Sequence, residues 1–531
     1  MRTSRSLARY AQDTNDLLRS LYSPMMHALW MVMTTGEWKW VQESVRHEKA
    51  YQKTLSSPLF RRNLLRRMDD NSAEPLLRRQ LDVLRREMLE HRASPVKRER
   101  MASLWNDLHY TLATFQAEVN GALLSEHSML VLLRSLRDTG LRRKVWLAGM
   151  QVGASVAPRL IELVTLRNEV AVKQGFANFY EMKLYAQETE PRLLEELIRT
   201  IRRGLDGAYR REKERIDEEL AETFRVSKSA LRSWHYAHPF VQSHNPFLLG
   251  ETIEPDGIEG RVASWLHSRG FDIGPVLLRS DTAPRSGKSQ ANCCLNVNRG
   301  DDIRLSCHLT PDRKGLSLLL HELGHAVYEQ EIDPALPFLL HQPAHPLLSE
   351  GTALLFERLA WDRGWLQEVN GGISFVSEEQ DTGPALRREL LVKLYWTMTV
   401  IEFEKRMYEN PRQPLNRLWW ETVEQIQGIP RPEEWDFPYW AAKAHLTTLP
   451  VHYYNYLLGE VAASQFQHEL TARFGTWRSA EALGYLRESV FRPGAARPWT
   501  GLLAEGFSGR LDPLPLIRQL QNTTIHEERR E

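Results

Sequence analysis

The sequence predicts a mainly α-helical fold with one small β-sheet. Apolar residues recur at helical spacing over most of the chain, as Leu77, Leu81 and Leu84 do on one face of a predicted helix. Between about residues 250 and 310 glycine and proline become frequent, and short runs of β-type residues predict the sheet. A chain of 531 residues exceeds what one hydrophobic core usually serves, so two lobes are expected.

The helical pattern continues almost without interruption from residue 1 to about residue 240. One predicted helix in this part ends at Gly175, and two long amphipathic helices later in the chain end at Asn410 and Gly428. The strand-like runs between them are PVLLR, CCLNVN and DIRLSC.

Composition excludes several classes of function. Lys and Arg number 69 and Asp and Glu 68, so the net charge of +1 provides no overall field to attract nucleic acid or an anionic membrane. The basic N-terminus lacks the apolar core of a signal peptide, and no apolar run reaches the length of a membrane span. The adjacent pair Cys293 and Cys294, with Cys307, favours a reducing compartment, so we expect a cytoplasmic protein.

The motif HELGH is the strongest chemical signal in the chain. His321 and His325 are four residues apart, so on a helix they project from one face and can share a metal ion, with Glu322 beside them as a proton carrier. Apolar residues on both sides predict a buried, rigid helix. This is the zincin signature, and a catalytic zinc needs a third protein ligand.

Three residues downstream are candidates for that third ligand. His341 and His345 lie among prolines, which predicts a loop. Glu350 follows Ser349, which can cap a helix, and a carboxylate in the first turn of that helix can face the histidine pair. Glu357 lies seven residues further on the same face, placed either to accept a hydrogen bond from a ligand histidine or to form a surface ion pair.

The segment HELGHAVYEQ, whose His325 is separated by 24 residues from the glutamate of SEGTALLFERL, resembles the helical gluzincin peptidases, the family of angiotensin-converting enzyme and thimet oligopeptidase. The resemblance implies two helical lobes around a substrate channel and one zinc ion per chain. It implies His321, His325 and Glu350 as the zinc ligands, and Glu322 as the catalytic base. The implied substrates are oligopeptides.

Two further segments resemble parts of angiotensin-converting enzyme that bind the peptide. DIRLSCHL is the candidate for a strand at the edge of the sheet, before the HELGH helix, to which an extended peptide can add as a further strand. It resembles a strand ending in Cys-His and implies that His308 contacts the peptide backbone; a structural loop histidine is the alternative. In AAKAHLTTLPVHYYNYLLGEV the pattern Lys-x-His followed by Tyr-x-x-Tyr implies that Lys443 and Tyr453 bind a substrate carboxylate. It also implies that His445 and Tyr456 stabilise the oxyanion. A solvated lysine is the alternative for Lys443.

The chain also departs from that pattern. The stretch from His445 to Tyr453 is one residue longer than in angiotensin-converting enzyme, and no counterpart of that enzyme's carboxylate-binding glutamine is identified. Asn455 stands where the enzyme has a chloride-binding arginine, which implies little dependence on chloride. The Gly-Tyr that precedes the tyrosine cluster in thimet oligopeptidase is missing. The resemblance covers about residues 255 to 475, with a further faint match near residue 167 in LRNEVAVKQGFANFYEM, for which a packed helix end is the alternative.

We therefore expect a zinc metallopeptidase that acts on oligopeptides, in the manner of a peptidyl-dipeptidase, with neither nucleic acid nor a membrane as a partner. A thimet-like oligoendopeptidase is the alternative within the same family, and a non-catalytic helical scaffold stabilised by zinc is the alternative outside it. The predicted division is a helical lobe over 1–250, a zinc-peptidase core over 251–475, and C-terminal helices over 476–531.

Overall fold

The computed structural model describes residues 2–68, 74–242, 257–285, 287–289, 291–369 and 383–521. The prediction of a mainly α-helical fold is confirmed, and the strands among these residues form two sheets of two strands each. Within the same ranges, no helix is both long enough and apolar enough to cross a membrane.

The α-helices are α1 (Arg2–Thr35), α2 (Trp38–Leu55), α3 (Pro58–Met68), α4 (Pro75–Glu87), α5 (Pro95–Thr114), α6 (Glu126–Ser135), α7 (Thr139–Met150), α8 (Val152–Val172), α9 (Phe179–Ala186), α10 (Pro191–Phe224), α11 (Ile258–Ser268), α12 (Gly274–Arg279), α13 (Arg313–Gln330), α14 (Pro346–Glu357), α15 (Arg363–Val369), α16 (Gly383–Glu409), α17 (Leu415–Gln427), α18 (His445–Thr448), α19 (Tyr453–Phe474), α20 (Ala480–Leu486), α21 (Trp499–Gly506) and α22 (Leu514–Gln521). The strands are β1 (Ala117–Val119), β2 (Ala122–Leu124), β3 (Cys293–Asn296) and β4 (Ile303–Ser306).

The chain forms two compact units, each built from separate stretches of sequence. Unit 1 comprises Met1–Arg92, Gly250–Gln380 and Leu458–Leu516. Unit 2 comprises Ala93–Leu249, Asp381–Leu457 and Ile517–Glu531. The division of the chain by function into 1–250, 251–475 and 476–531 stays a prediction, because the two units are defined by packing alone.

The predicted small sheet before the HELGH helix is present in unit 1. Strand β3 pairs antiparallel with β4, with Cys294 opposite Leu305. The other side of β4 is covered by the chain that follows α12, since the Asp281 N–H donates to the Leu305 carbonyl at 2.8 Å and the Cys307 N–H donates to the Asp281 carbonyl at 2.9 Å. The expectation that β4 forms an edge able to add a peptide strand is therefore wrong.

Two local predictions are also wrong. The run PVLLR forms helix α12, because Pro275 lies in the first turn, where a helix does not need the missing N–H. In unit 2 a short hairpin joins β1 to β2 through Asn120 and Gly121, whose φ angles of 52° and 82° are those of a two-residue hairpin turn. An Asn-Gly pair is the usual signal for such a turn, and the helical pattern around it hid the signal.

Close helix packing in unit 1 brings the metal-binding motif to its partners. A Cβ atom on Gly324 in α13 would lie 2.6 Å from the Cα of Ala353 in α14, so glycine permits the close approach of these two helices. A Cβ atom on Gly459 in α19 would lie 2.8 Å from the Cβ of Glu350. The backbone of α14 is thus held closely between α13 and the later part of α19.

Unit 2 contains the residues predicted to bind the substrate carboxylate. Helix α8 packs against α5 and α9, and α16 packs against α17 and α10. The short helix α18 contacts α5, and four residues separate the end of α18 from the start of α19. Helix α8 ends before Gly175, as predicted, and Gly428 in the left-handed region ends α17.

Candidate metal centre

His321, His325 and Glu350 come together in unit 1, with one ligand atom of each within 4.8 Å of the others. The two histidines lie on α13 and the glutamate on α14. His321 Nε2 and Glu350 Oε2 are 3.8 Å apart. Two atoms that each lie ~2.1 Å from one tetrahedral metal ion would be separated by ~3.4 Å, so the pair is close to the spacing that zinc needs.

The outer ring nitrogens of both histidines have hydrogen-bond partners. His321 Nδ1 lies 2.9 Å from Glu357 Oε2, and His325 Nδ1 lies 2.8 Å from the Ser349 hydroxyl. A carboxylate can only accept, so His321 Nδ1 carries a proton, and the neutral form of the ring would direct the lone pair of Nε2 towards Glu350. Either a proton on Nε2 or a metal ion bound to Nε2 would balance the negative charge of Glu350 at this position. The donor set therefore fits a divalent metal such as zinc.

Burial and neighbouring charges shift the pKa values of His321 and Glu322 at the candidate centre. Burial alone would lower the pKa of His321, but the hydrogen bond and charge of Glu357, with the charges of Glu350 and Glu322, raise it to about 9. Burial raises the pKa of Glu322 to about 7, and the charge of Glu350 acts in the same direction. Negative charge is thus in excess around the two imidazoles, and a bound cation would balance it.

The backbone of β3 faces Glu322. The carbonyl of Leu305 points towards Asp281, and in an antiparallel pair the opposite residue, Cys294, then directs its own backbone groups away from β4. The Cys294 N–H accordingly donates a hydrogen bond to the Glu322 carboxylate, which opposes the rise of its pKa. The strand edge next to the candidate catalytic residue is therefore that of β3, and not that of β4.

His308 follows β4 and contacts the segment that precedes β3. Its backbone N–H donates to Asn292 Oδ1 at 2.8 Å, and its ring Nε2 lies 2.6 Å from the Ser289 carbonyl. The side chain is partly buried in this arrangement. Contact between His308 and a peptide backbone stays a prediction.

The two downstream histidines lie outside the helices, as predicted. His345 caps α14, with its Nδ1 accepting from the Leu347 N–H at 2.9 Å, so the predicted capping by Ser349 is wrong. The helix begins earlier because Pro346 occupies its first turn. Ser349 then lies inside the helix, where its hydroxyl reaches His325. Among the described residues, the group that could hold a metal includes neither His341 nor His345.

In unit 2, Lys443 lies among aromatic rings. Its Nζ is 5.3 Å from the ring centre of Trp396, 5.6 Å from that of Tyr453 and 5.9 Å from that of Phe240. With the side-chain amide of Gln242 oriented to satisfy both donors, its oxygen accepts from Lys443 Nζ at 2.7 Å and from Trp396 Nε1 at 2.9 Å. We call these five residues the lysine cage. Lys443 is not the solvated lysine of the alternative interpretation.

The lysine cage holds a cation in a weakly polar environment. Burial lowers the pKa of Lys443 to about 8, and the charge of Glu126 only partly opposes this effect. Among the described residues, no carboxylate forms an ion pair with Lys443. Gln242 was missed by sequence reasoning because it is about 200 residues away in the chain and belongs to no motif.

The three other candidate residues of unit 2 lie next to the cage. The ring centre of His445 is 5.2 Å from that of Tyr453 and 6.4 Å from that of Tyr456, and the two tyrosine rings are 5.5 Å apart. Burial, with the charge of Lys443, lowers the pKa of His445 to about 3. His445 is therefore a neutral imidazole near pH 7, which can donate one N–H hydrogen bond.

Asn455 is fully buried within unit 2. Its Nδ2 lies 3.5 Å from Gln187 Oε1 and 3.4 Å from His452 Nδ1. Neither contact supplies the fixed positive charge with which an arginine would hold an anion.

Comparison of the chain with protein-family models gives no match, and comparison with curated proteins gives none either. Function is therefore argued from the motif and the geometry of the two groups of residues.

The third metal ligand can be tested by substitution. We expect Glu350→Ala to lower zinc occupancy by about tenfold or more, because two imidazoles alone bind the ion weakly. His341→Ala and His345→Ala are the matched controls and should keep the metal, although His345→Ala should lower stability by ~1 kcal/mol through loss of the helix cap. The measurement is the zinc content of each purified variant. Loss of zinc only in His345→Ala would reject Glu350 as the third ligand.

If the chain hydrolyses peptides, as the resemblance implies, chloride should have little effect on the rate. Asn455 carries no charge, and its amide contacts Gln187 and His452 rather than an arginine. Turnover of one peptide is compared in acetate and in chloride at equal ionic strength. Asn455→Arg provides the matched gain of charge, and strong activation of the unsubstituted protein by chloride would contradict the expectation.

Proposed function

We propose that this chain is a zinc-dependent peptidase that hydrolyses oligopeptides. The observation that carries the proposal is the convergence of His321, His325 and Glu350, with His321 oriented by Glu357 and with the buried Glu322 beside them. In this proposal His321, His325 and Glu350 hold the zinc ion. When bound, zinc supplies Lewis acidity that activates a water molecule and polarises the scissile carbonyl group.

Glu322 is the proposed general base and acid. Its carboxylate accepts a proton from the attacking water and then gives that proton to the leaving amine. A group with a pKa near neutrality can do both, and burial brings the pKa of Glu322 into that range. The Cys294 N–H holds the carboxylate in place. Because the edge of β3 faces Glu322, we propose that an extended peptide aligns along β3.

The lysine cage is the proposed receptor for the C-terminal carboxylate of the substrate. Lys443, Gln242 and Tyr453 offer one charged donor and two neutral donors, and the described residues give the ammonium group no acidic partner. Such a group gains more from an incoming carboxylate than a lysine already paired with an acid. His445 and Tyr456 are the proposed donors to the tetrahedral oxyanion. Together these roles describe a peptidyl-dipeptidase that removes C-terminal dipeptides.

The two alternatives predict different behaviour. A thimet-like oligoendopeptidase would cut within peptides and would ignore the free C-terminus. A zinc-stabilised scaffold would normally surround the metal with four protein ligands, and the metal-binding group among the described residues has three. The cytoplasmic location is part of the proposal and is supported by the three unpaired cysteines, Cys293, Cys294 and Cys307.

Replacement of the proposed base should separate metal binding from catalysis. Glu322→Gln should keep the zinc and lower kcat by about 10²–10⁴-fold, because the amide cannot accept the proton. Glu331→Gln, at the end of the same helix, is the matched control and should retain activity. Zinc content and peptide turnover are measured on the same preparations, and full turnover by zinc-loaded Glu322→Gln would reject this mechanism.

The lysine cage predicts a preference for peptides with a free C-terminus. One peptide is compared as free acid and as amide, and the free acid should have a kcat/KM higher by about tenfold or more, since a charge-assisted hydrogen bond is lost in the amide. The preference should fall above pH about 8, where Lys443 becomes neutral. Products identified by mass should be C-terminal dipeptides.

Lys443→Met should abolish this preference at every pH. Lys405 is a half-buried lysine of the same unit that forms an ion pair with Glu195, and Lys405→Met should leave the preference intact. Equal rates for the two peptides, with internal cleavage, would support the oligoendopeptidase instead and would leave the lysine cage without a role.

A further inference from the structure

The turn between α18 and α19 has a strained backbone. Val451 has a φ angle of +56°, in the left-handed region that a β-branched residue rarely adopts. The residue is 1% exposed. It lies between His445 and Tyr453. A conformation of this kind persists only when surrounding contacts impose it.

Two buried charged side chains make such contacts from neighbouring helices of unit 2. Glu404 in α16 is 2% exposed, and its Oε1 accepts a hydrogen bond from the Val451 N–H at 2.8 Å. Arg167 in α8 is 6% exposed, and its Nη2 donates to the Thr447 carbonyl at 3.3 Å while its Nη1 donates to the Tyr408 hydroxyl at 3.1 Å. The turn is therefore held at both ends. We call Arg167 and Glu404 the turn clamp.

The turn clamp is costly to bury, which argues that it has a specific use. Burial raises the pKa of Glu404 to about 8, and the Val451 N–H and the charge of Arg167 only partly oppose this rise. Neutral side chains could have formed the same hydrogen bonds with the backbone of Val451 and of the fully buried Thr447. The neighbouring Asn168 donates to the Tyr408 carbonyl at 2.7 Å, so the Arg-Asn pair joins α8 to α16.

We propose that Arg167 and Glu404 are positioning residues that set the distance between His445 and Tyr453. By fixing this distance they allow Tyr453 to bind the C-terminal carboxylate of a peptide while His445 donates to the oxyanion of the same peptide. Arg167 acts on the part of the turn near His445, and Glu404 acts on the part next to Tyr453. The inference rests on the proposed peptidase function, and it adds two residues that contact neither metal nor substrate.

The first test is the ratio of kcat/KM for a free-acid peptide to that for its amide. Glu404→Leu fills the same space but removes the acceptor, and the ratio should fall by about fivefold or more, with a higher KM for the free acid. Glu404→Gln keeps an acceptor and should restore the ratio. Glu402→Ala, two residues away on the same helix, is the control. A merely structural role would lower the active fraction and leave the ratio unchanged.

Substitution of Arg167 tests the other end of the turn clamp. It also provides a second test if Glu404→Leu does not fold. Arg167→Met should lower kcat by about tenfold with a smaller change in KM, because the donor near the oxyanion is displaced. Arg167→Lys should recover part of the loss. An equal loss in all variants, with KM and the peptide ratio unchanged, would overturn the proposal.

Hydrogen exchange separates this inference from the proposed function. The Val451 amide should be protected in the full chain, and Glu404→Leu should increase exchange across residues 445–456 without increasing it in α10. If the zinc-loaded protein shows no peptidase activity, the proposed function fails, and exchange still tests the turn clamp. If activity is present but exchange in residues 445–456 is unchanged in Glu404→Leu and Arg167→Met, the turn clamp is rejected.

Discussion

The hydrogen bond between His321 Nδ1 and Glu357 Oε2 is the interaction on which the candidate metal centre depends. It places a proton on Nδ1 and directs Nε2 towards Glu350. The bond forms because α13 and α14 approach closely, and Gly324 permits that approach. One glycine, one outer carboxylate and one inner carboxylate thus give two packed helices a group of side chains that could hold a cation.

Charge imbalance is the common feature of the two groups of candidate residues. Around His321 carboxylates are in excess, so the centre favours a cation. Around Lys443 the described carboxylates provide no ion pair, so the lysine cage favours an anion. Buried charges without partners lower the stability of a fold, and they persist where binding of a ligand recovers the cost. A metal ion and a peptide carboxylate are the two ligands that would do so here.

Local sequence patterns predicted the parts of the site that depend on helix periodicity. The spacing of His321 and His325 on α13, and of Glu350 and Glu357 on α14, follows from helix geometry, and the structure brings the two pairs together. Contacts between distant segments were not predictable. The segment that covers β4 comes from the turn after α12, and Gln242 and Arg167 reach their partners from about 200 and 280 residues away. No motif marks a residue whose role is set only by tertiary packing.

The cost of burying Glu322 argues for catalysis over a purely structural role. Its carboxyl is 5% exposed, and both burial and the charge of Glu350 disfavour its ionised form. A scaffold would gain stability from glutamine or leucine at this position, since neither brings a buried charge. An acid that is kept at such a cost beside a three-ligand centre is the arrangement that proton transfer to and from a reacting water requires. Stability and the proposed activity therefore make opposite demands on residue 322, and the sequence carries the residue that the proposed activity requires.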